Sequence, residues 1–208
     1  MRQPLAILGT HVFAEEVADL VEQAGGYELV AFVENWDRGR TERTLLGRPV
    51  IWVDELAARA GEWHALCSIA SPERRAYVEQ VEGFGIEFAT LLHPSAVVAP
   101  SAQLGAGCVV SAGVVIGAHT RIGDHAILNR GVLVGHHTSI GSCVTLSPAA
   151  NVAGCVEIGD GAFLGMGATV IDRRRVGAGA LLAAGAVVVR DVPEGVRVQG
   201  VPARVAER

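Results

Sequence analysis

Residues 132–146 read VLVGHHTSIGSCVTL, and the frame of this stretch decides the fold. Val134, Ile140 and Leu146 stand six apart. Continued outward, the same step meets Val98, Leu104, Val110, Ile116, Ile122 and Leu128 before them. After them it meets Val152, Ile158, Leu164, Val170, Val176, Leu182 and Val188. All sixteen positions are branched aliphatics, and the frame never slips. Four residues after each lies a second series of mostly small residues, such as Cys108, Ala126, Val144, Ala162 and Ala180, with Arg174 as the exception. Glycine often follows the aliphatic, as at Gly117, Gly135, Gly159 and Gly177.

A period held this long marks a repeat architecture. Six is neither the helical period of 3.6 nor the strand period of 2. It fits a short strand followed by a corner, repeated in stacked coils whose stability is nearly one-dimensional. The aliphatic and the small residue are expected to point inward. The glycine after the aliphatic is expected to supply the unusual dihedrals of the corner.

The 208 residues are 50% hydrophobic but only 5% aromatic, so the core must be aliphatic, as a narrow solenoid interior requires. The 26 glycines fall in phase, which marks corners and not disorder. A net charge of −5 suggests no nucleic-acid footprint. No apolar run is long enough to span a membrane, and Met1-Arg2-Gln3-Pro4 does not open like a signal peptide. Cys67, Cys108, Cys143 and Cys155 form no CxxC and read as reduced thiols of a cytoplasmic protein.

Residues 1–92 have a different texture. Apolar runs at Leu5–Leu8, Leu29–Val33, Pro49–Trp52, Ala65–Ile69 and Phe88–Leu92 predict strands. Helical patterns lie between them: one from Val12 to Val21 that stops at Gly25-Gly26, one from Asp54 to Ala60, and one opened by Ser71 as N-cap with Pro72 in its first turn. The alternation predicts a small Rossmann-like parallel α/β domain over 1–92, followed by a β-solenoid over 93–208. Parallel sheets bind ligands beyond the carboxyl ends of their strands. The candidate ligand loops are therefore Gly9-Thr10-His11, Glu34-Asn35 and Ala70-Ser71.

Three stretches resemble a known family: Asn129 to Gly154, Ile158 to Val170, and the terminal Gly200-Val201-Pro202-Ala203-Arg204. They resemble the sugar O- and N-acetyltransferases of the sialic-acid and bacillosamine type, within the hexapeptide-repeat acyltransferases. The resemblance covers nearly the whole chain. It implies a left-handed parallel β-helix with three hexads to the coil, a homotrimer, and acetyl-CoA in the groove between neighbouring helices. It also implies a nucleotide-sugar substrate held by the N-terminal domain, and no metal.

By the same resemblance His136 is the general base, and Asn129 helps to position it. His137 stands where the family usually has Asp or Glu, and it can orient His136 only as a neutral partner. Thr145 stands where some members have a second histidine on the acetyl group. Gly154, Met166, Ala184 and Pro202 match the cofactor channel. The nucleotide loop at Gly9-Thr10-His11 is two residues shorter than the family's GxxGH, and the acidic pair becomes Glu34-Asn35. Amine attack on a thioester releases a proton, which a neutral imidazole accepts at working pH. O-acetylation is the alternative reaction. Two further readings differ in class: a zinc site built from His119, His125 and His137, and a trimeric scaffold without activity.

Overall fold

The computed structural model describes residues 2–71 and 73–206. The chain divides into two compact units between Leu92 and His93.

In the first unit, strands β1 (Gln3–Leu8), β2 (Tyr27–Glu34), β3 (Thr44–Leu45), β4 (Arg48–Trp52), β5 (His64–Cys67) and β6 (Glu87–Phe88) form one sheet. Its order is β3-β4-β2-β1-β5-β6. All pairs are parallel except the antiparallel β3–β4 hairpin. The chain leaves β1 to one side through β2 and β4, then returns to the other side at β5. Helix α1 (Val12–Ala24) buries Ala14, Val17, Leu20 and Val21, and Gly25 ends it at φ 71°. Helix α2 (Arg74–Glu82) buries Tyr77, Val78 and Val81. The N-cap is Glu73, without a side-chain cap bond, and not the expected Ser71, whose hydroxyl lies ahead of the helix and accepts from the Glu73 N–H at 3.3 Å. Pro72 lies outside the described residues.

Two expectations change here. The segment read as a helix from Asp54 is a 3-10 helix, Val53–Arg59. The single last strand from Phe88 is two pieces, Glu87–Phe88 and Leu91–Leu92. Two elements have no forerunner in the sequence reading: the 3-10 helix Arg38–Glu42 and the short strand β3, which pairs antiparallel with the expected β4. No helix among the described residues is long and apolar enough to cross a membrane.

The second unit is built from two-residue strands. Each pairs in parallel with the strand 18 residues on, as Val115 with Leu133, Arg121 with Ser139 and Val109 with Ile127. Three hexads therefore make one coil, and three sheets result, parallel but for the terminal antiparallel pair of Arg197–Gln199 with Arg204–Val205. The coil shortens near the end, where Leu181 pairs with Arg197. The aliphatic series from Val110 to Val188 is buried, with Cys108, Ala126, Val144, Ala162 and Ala180 packed between its members. Thr120 and Thr138 belong to the same inward series. Their hydroxyls donate to Gly135 O at 2.9 Å and Ala153 O at 3.0 Å, so two buried polar groups are satisfied.

The glycines that follow the aliphatics do not supply left-handed dihedrals, as the sequence had suggested. Gly135 is there because a Cβ would lie 2.5 Å from Ala153 C and Gly154 N in the next coil. The left-handed residue stands two places later, three after the aliphatic. From Gly107 to Gly185 every such position has positive φ, including His119, His125, His137, Cys143, Ala149, Cys155 and Arg173. Stacking geometry imposes this conformation on residues that seldom choose it.

Candidate functional site

The six-residue frame puts His136 two places after Val134, at the corner that follows strand Leu133–Val134. Eighteen residues on, the same corner carries Gly154. A Cβ built there would lie 2.9 Å from both Cε1 and Nε2 of His136. The ring thus rests against the bare Cα of Gly154, and its Nε2 edge faces that side. At the opposite edge, His136 Nδ1 lies 3.1 Å from His137 Nδ1. The two rings meet edge to face, with centroids 5.2 Å apart. His119, one coil earlier on the same corner, lies 4.9 Å from the His137 ring. The inward threonines brace this corner, because the carbonyls they hold belong to Gly135 and Ala153, the residues before His136 and Gly154. Sequence reasoning missed that role. The signal was there: two threonines 18 apart in a series otherwise mostly small and apolar.

The geometry gives a first expected result. Gly154→Ala keeps an allowed backbone but drives a methyl into the His136 ring. It lowers kcat by about 10-fold or more, by displacing a base worth roughly 10²–10⁴, with little change in unfolding midpoint. Steady-state kinetics beside a thermal melt check it.

Other expected residues fall elsewhere. Asn129 lies at a different corner, after strand Ile127–Leu128, and its Oδ1 accepts from the Arg130 N–H at 2.8 Å. Within one copy that bond serves its own turn, and among the described residues no hydrogen bond joins Asn129 to His136. Thr145 is 1% exposed, in a strand between Ile127 and Phe163. Met166 is exposed at 61%, and Ala184 shares its corner one coil later. Pro202 follows a cis Val201–Pro202 bond in the terminal segment. The base and the expected cofactor residues Met166 and Ala184 thus occupy different corners of one helix. His119 and His137 share a corner, whereas His125 is on another. Among the described residues no group of three His, Cys, Asp or Glu is placed to hold a metal ion.

In the first unit, a cleft of about 400 Å³ opens at the carboxyl end of β1, lined by Thr10, His11, Glu15, Arg40, Arg43 and Leu45 among others. Arg40, from the unforeseen 3-10 helix, is its organiser. Its Nη1 donates to Thr10 Oγ1 at 3.0 Å and meets His11 Nε2 at 3.1 Å. It also lies 3.7 Å from Glu34 Oε2.

Glu34, expected to face a ligand, is only 6% exposed. One oxygen accepts from the N–H groups of Asn35, Trp36 and Asp37, and the other from the Thr10 hydroxyl. Its carboxylate is used up in holding the loop. Gly9, at φ 111°, is required because a Cβ would sit 2.8 Å from Ser68 Oγ. The Ala70 carbonyl is taken by the buried Arg74 guanidinium at 3.2 Å. Thr10 and His11 are therefore the loop residues that reach the cleft.

Burial pushes the Glu34 carboxyl up, but the Thr10 hydroxyl and the three backbone donors outweigh it and hold the group below its ordinary value of 4.5. A folded value below the unfolded one adds stability above about pH 4.5, and this is lost as pH falls through the folded value. Glu34→Gln is thus expected to lower the unfolding midpoint near neutrality and to flatten its acid slope. Denaturant melts between about pH 3 and pH 7 read both changes.

No protein-family model matches the chain, and no curated protein matches it. Solved structures do match over its full length. Perosamine N-acetyltransferase from Caulobacter crescentus, solved as a histidine-to-asparagine mutant with CoA and GDP-perosamine, is 36% identical with a TM-score of 0.91. The match covers 99% of this chain and 97% of that one. The acetyltransferase domain of PglB from Neisseria gonorrhoeae, solved with acetyl coenzyme A, is 30% identical with a TM-score of 0.90, over 99% and 100% of the two chains. WeeI from Acinetobacter baumannii is 28% identical with a TM-score of 0.88, over 98% and 100%. The stacked parallel strands match those of a left-handed β-helix acyltransferase.

Proposed function

The chain belongs to the sugar N-acetyltransferases of the hexapeptide-repeat acyltransferase family, and from that footing we propose that it acetylates the amine of a nucleotide-linked amino sugar, using acetyl-CoA. The observation that carries the residue assignment is the seat of His136. One imidazole edge is held by a neighbour, and the other faces the space above a glycine that cannot bear a side chain.

The amine nitrogen attacks the thioester carbonyl carbon, and His136 Nε2 takes the proton that the nitrogen loses. The tetrahedral oxyanion then collapses, the C–S bond breaks, and the departing thiolate leaves as CoA thiol after protonation. Amide and thiol are the only products, and no acyl-enzyme is formed.

Residues 93–208 are the acetyltransferase β-helix in this reading, and residues 1–92 are a Rossmann-like domain for the nucleotide sugar. The cleft of Thr10, His11 and Arg40 supports that role, since it presents a guanidinium and hydrogen-bonding groups to an anionic ligand. Met166, Gly154, Ala184 and Pro202 form the acetyl-CoA channel. The working unit is a homotrimer, in which Met166 and Ala184 of one copy complete the channel beside His136 and Gly154 of a neighbour. Two observations support it. His136 and Met166 lie on different corners of one helix. One sheet also carries an outward apolar ladder, with Val97 62% and Leu133 42% exposed, the kind of surface that copies cover in each other. Four thiols outside any disulfide support a cytoplasmic setting.

The test is thiol release from acetyl-CoA with UDP-, TDP- and GDP-linked 4-amino sugars, and with sialic acids as hydroxyl acceptors. Turnover with an amino sugar and none with hydroxyl acceptors is expected. Turnover with sialic acids alone overturns the amine assignment.

A further inference from the structure

We propose that His137 is a positioning residue: a neutral imidazole that accepts the Nδ1 proton of His136, thereby setting its tautomer and stabilising the imidazolium formed during catalysis. This rests on the reading of His136 as the base.

The facing Nδ1 atoms, 3.1 Å apart, share one proton, because two N–H groups would repel and two lone pairs would not bond. A base working through Nε2 must be unprotonated there, so its own proton sits on Nδ1. His137 Nδ1 is then the acceptor, and the His137 proton is on Nε2. When His136 takes the substrate proton, its Nδ1–H becomes a charge-assisted donor, and the His137 lone pair favours the charged form. A protonated His137 would present an N–H to His136 and remove the acceptor.

The backbone holds His137 to this task. Its φ of 58° is the left-handed value of its frame position, and its N–H donates to Ala118 O at 2.8 Å. The titratable groups on the adjacent coils of this corner are His119, whose ring lies 4.9 Å from His137, and Cys155, whose N–H donates to His136 O at 2.9 Å. Asp172 and Arg173 follow a coil later and pair with each other at 2.8 Å. Among the described residues no carboxylate is hydrogen-bonded or ion-paired to His136 or His137, which leaves the second imidazole as the acceptor.

Three variants test it: His137→Ala, His137→Asn and His137→Glu. Alanine fits the backbone, since Ala149 occupies the same frame position at φ 59°. The first readout is the acid limb of kcat/KM against pH. His137→Ala is expected to move this limb to lower pH and to cut kcat by about 10–100-fold, the range known for partners that orient metal-bound histidines, with KM for acetyl-CoA nearly unchanged. His137→Asn, a neutral acceptor, restores part of kcat, and His137→Glu moves the limb above wild type. An unmoved or raised limb in His137→Ala overturns the proposal, because a structural role moves nothing and a cationic His137 would move it the other way.

The second readout is two-bond ¹H–¹⁵N correlation on imidazole-labelled protein above neutral pH. His136 is expected as the Nδ1–H tautomer and His137 as the Nε2–H tautomer, and the reverse pair overturns the proposal. This readout needs no turnover. The expected tautomers in a protein that acetylates no acceptor uphold the pair and count only against the proposed function.

Discussion

His136→Ala removes acetyl transfer almost completely: kcat falls by roughly 10²–10⁴, the usual worth of a placed general base, while acetyl-CoA still binds. The split follows from geometry. The imidazole touches Gly154 of the next coil through its Nε2 side, while Met166 and Ala184, the expected channel residues of the next sheet, lie on another corner. Truncation opens space beside Gly154 and disturbs no backbone hydrogen bond, because the corner is held by Thr120 on Gly135 O and Thr138 on Ala153 O. The measurement is thiol release for the rate, with calorimetric titration of CoA for binding. A variant that keeps half of the wild-type rate would mean that another group takes the proton. One that loses rate and CoA affinity together would place His136 in the cofactor site instead.

The second large effect separates two glycines of one coil. Gly159→Ala is expected to destabilise the protein by about 3 kcal/mol or more, at the upper end of overpacking costs. Gly161→Ala is expected to cost about 1–2 kcal/mol, the penalty for a left-handed non-glycine residue. A Cβ on Gly159 would lie 2.5 Å from Ala178 N and 2.8 Å from its Cα, so only backbone could yield. The Gly159 N–H also donates to Val176 O at 2.8 Å, which fixes the coil spacing against retreat. Gly161 has φ 65° and open space around its Cα. Alanine there meets only the dihedral penalty, which Ala149 already meets in the same frame position. Equal unfolding midpoints for the two variants would contradict this division of roles. Thermal melts are expected to separate them, since about 1 kcal/mol shifts Tm by roughly 2–4 °C at this size.

These two glycines also show how far the sequence carries. The period of six was legible, because every inward position must be aliphatic and the count never slips. The reason for the glycine after the aliphatic was not. A corner glycine can serve a dihedral or a close approach, and one chain of letters does not distinguish them. Only the contact with the next coil shows that approach governs Gly135 and Gly159, while the left-handed backbone falls on His137, Cys155 and Arg173. His136 could be singled out by resemblance and placed at a corner by its frame. Asn129 and Thr145 could not be placed against it, because their distance from His136 depends on which corner each occupies. Glu34 was read as a ligand contact from its place at the end of a strand. Its saturation by Thr10 and three backbone donors becomes visible only when β1 and β2 lie side by side. Arg40 had no signal, since a short 3-10 helix leaves no periodicity to read.

By itself, then, the sequence determined the local and periodic properties: a six-residue inward pattern, an aliphatic core, an alternating first unit, and the histidine pair. These depend on side chains in a repeating backbone frame, and a linear string records that frame completely. The 18-residue coil was implied only by resemblance, and the tertiary structure shows it; that structure alone decided the seat of His136 on Gly154, the threonine braces, and Arg40 at the cleft. Those are contacts between residues far apart in the chain, set by backbone hydrogen bonding from coil to coil and strand to strand, and no local pattern encodes which partner a residue will meet.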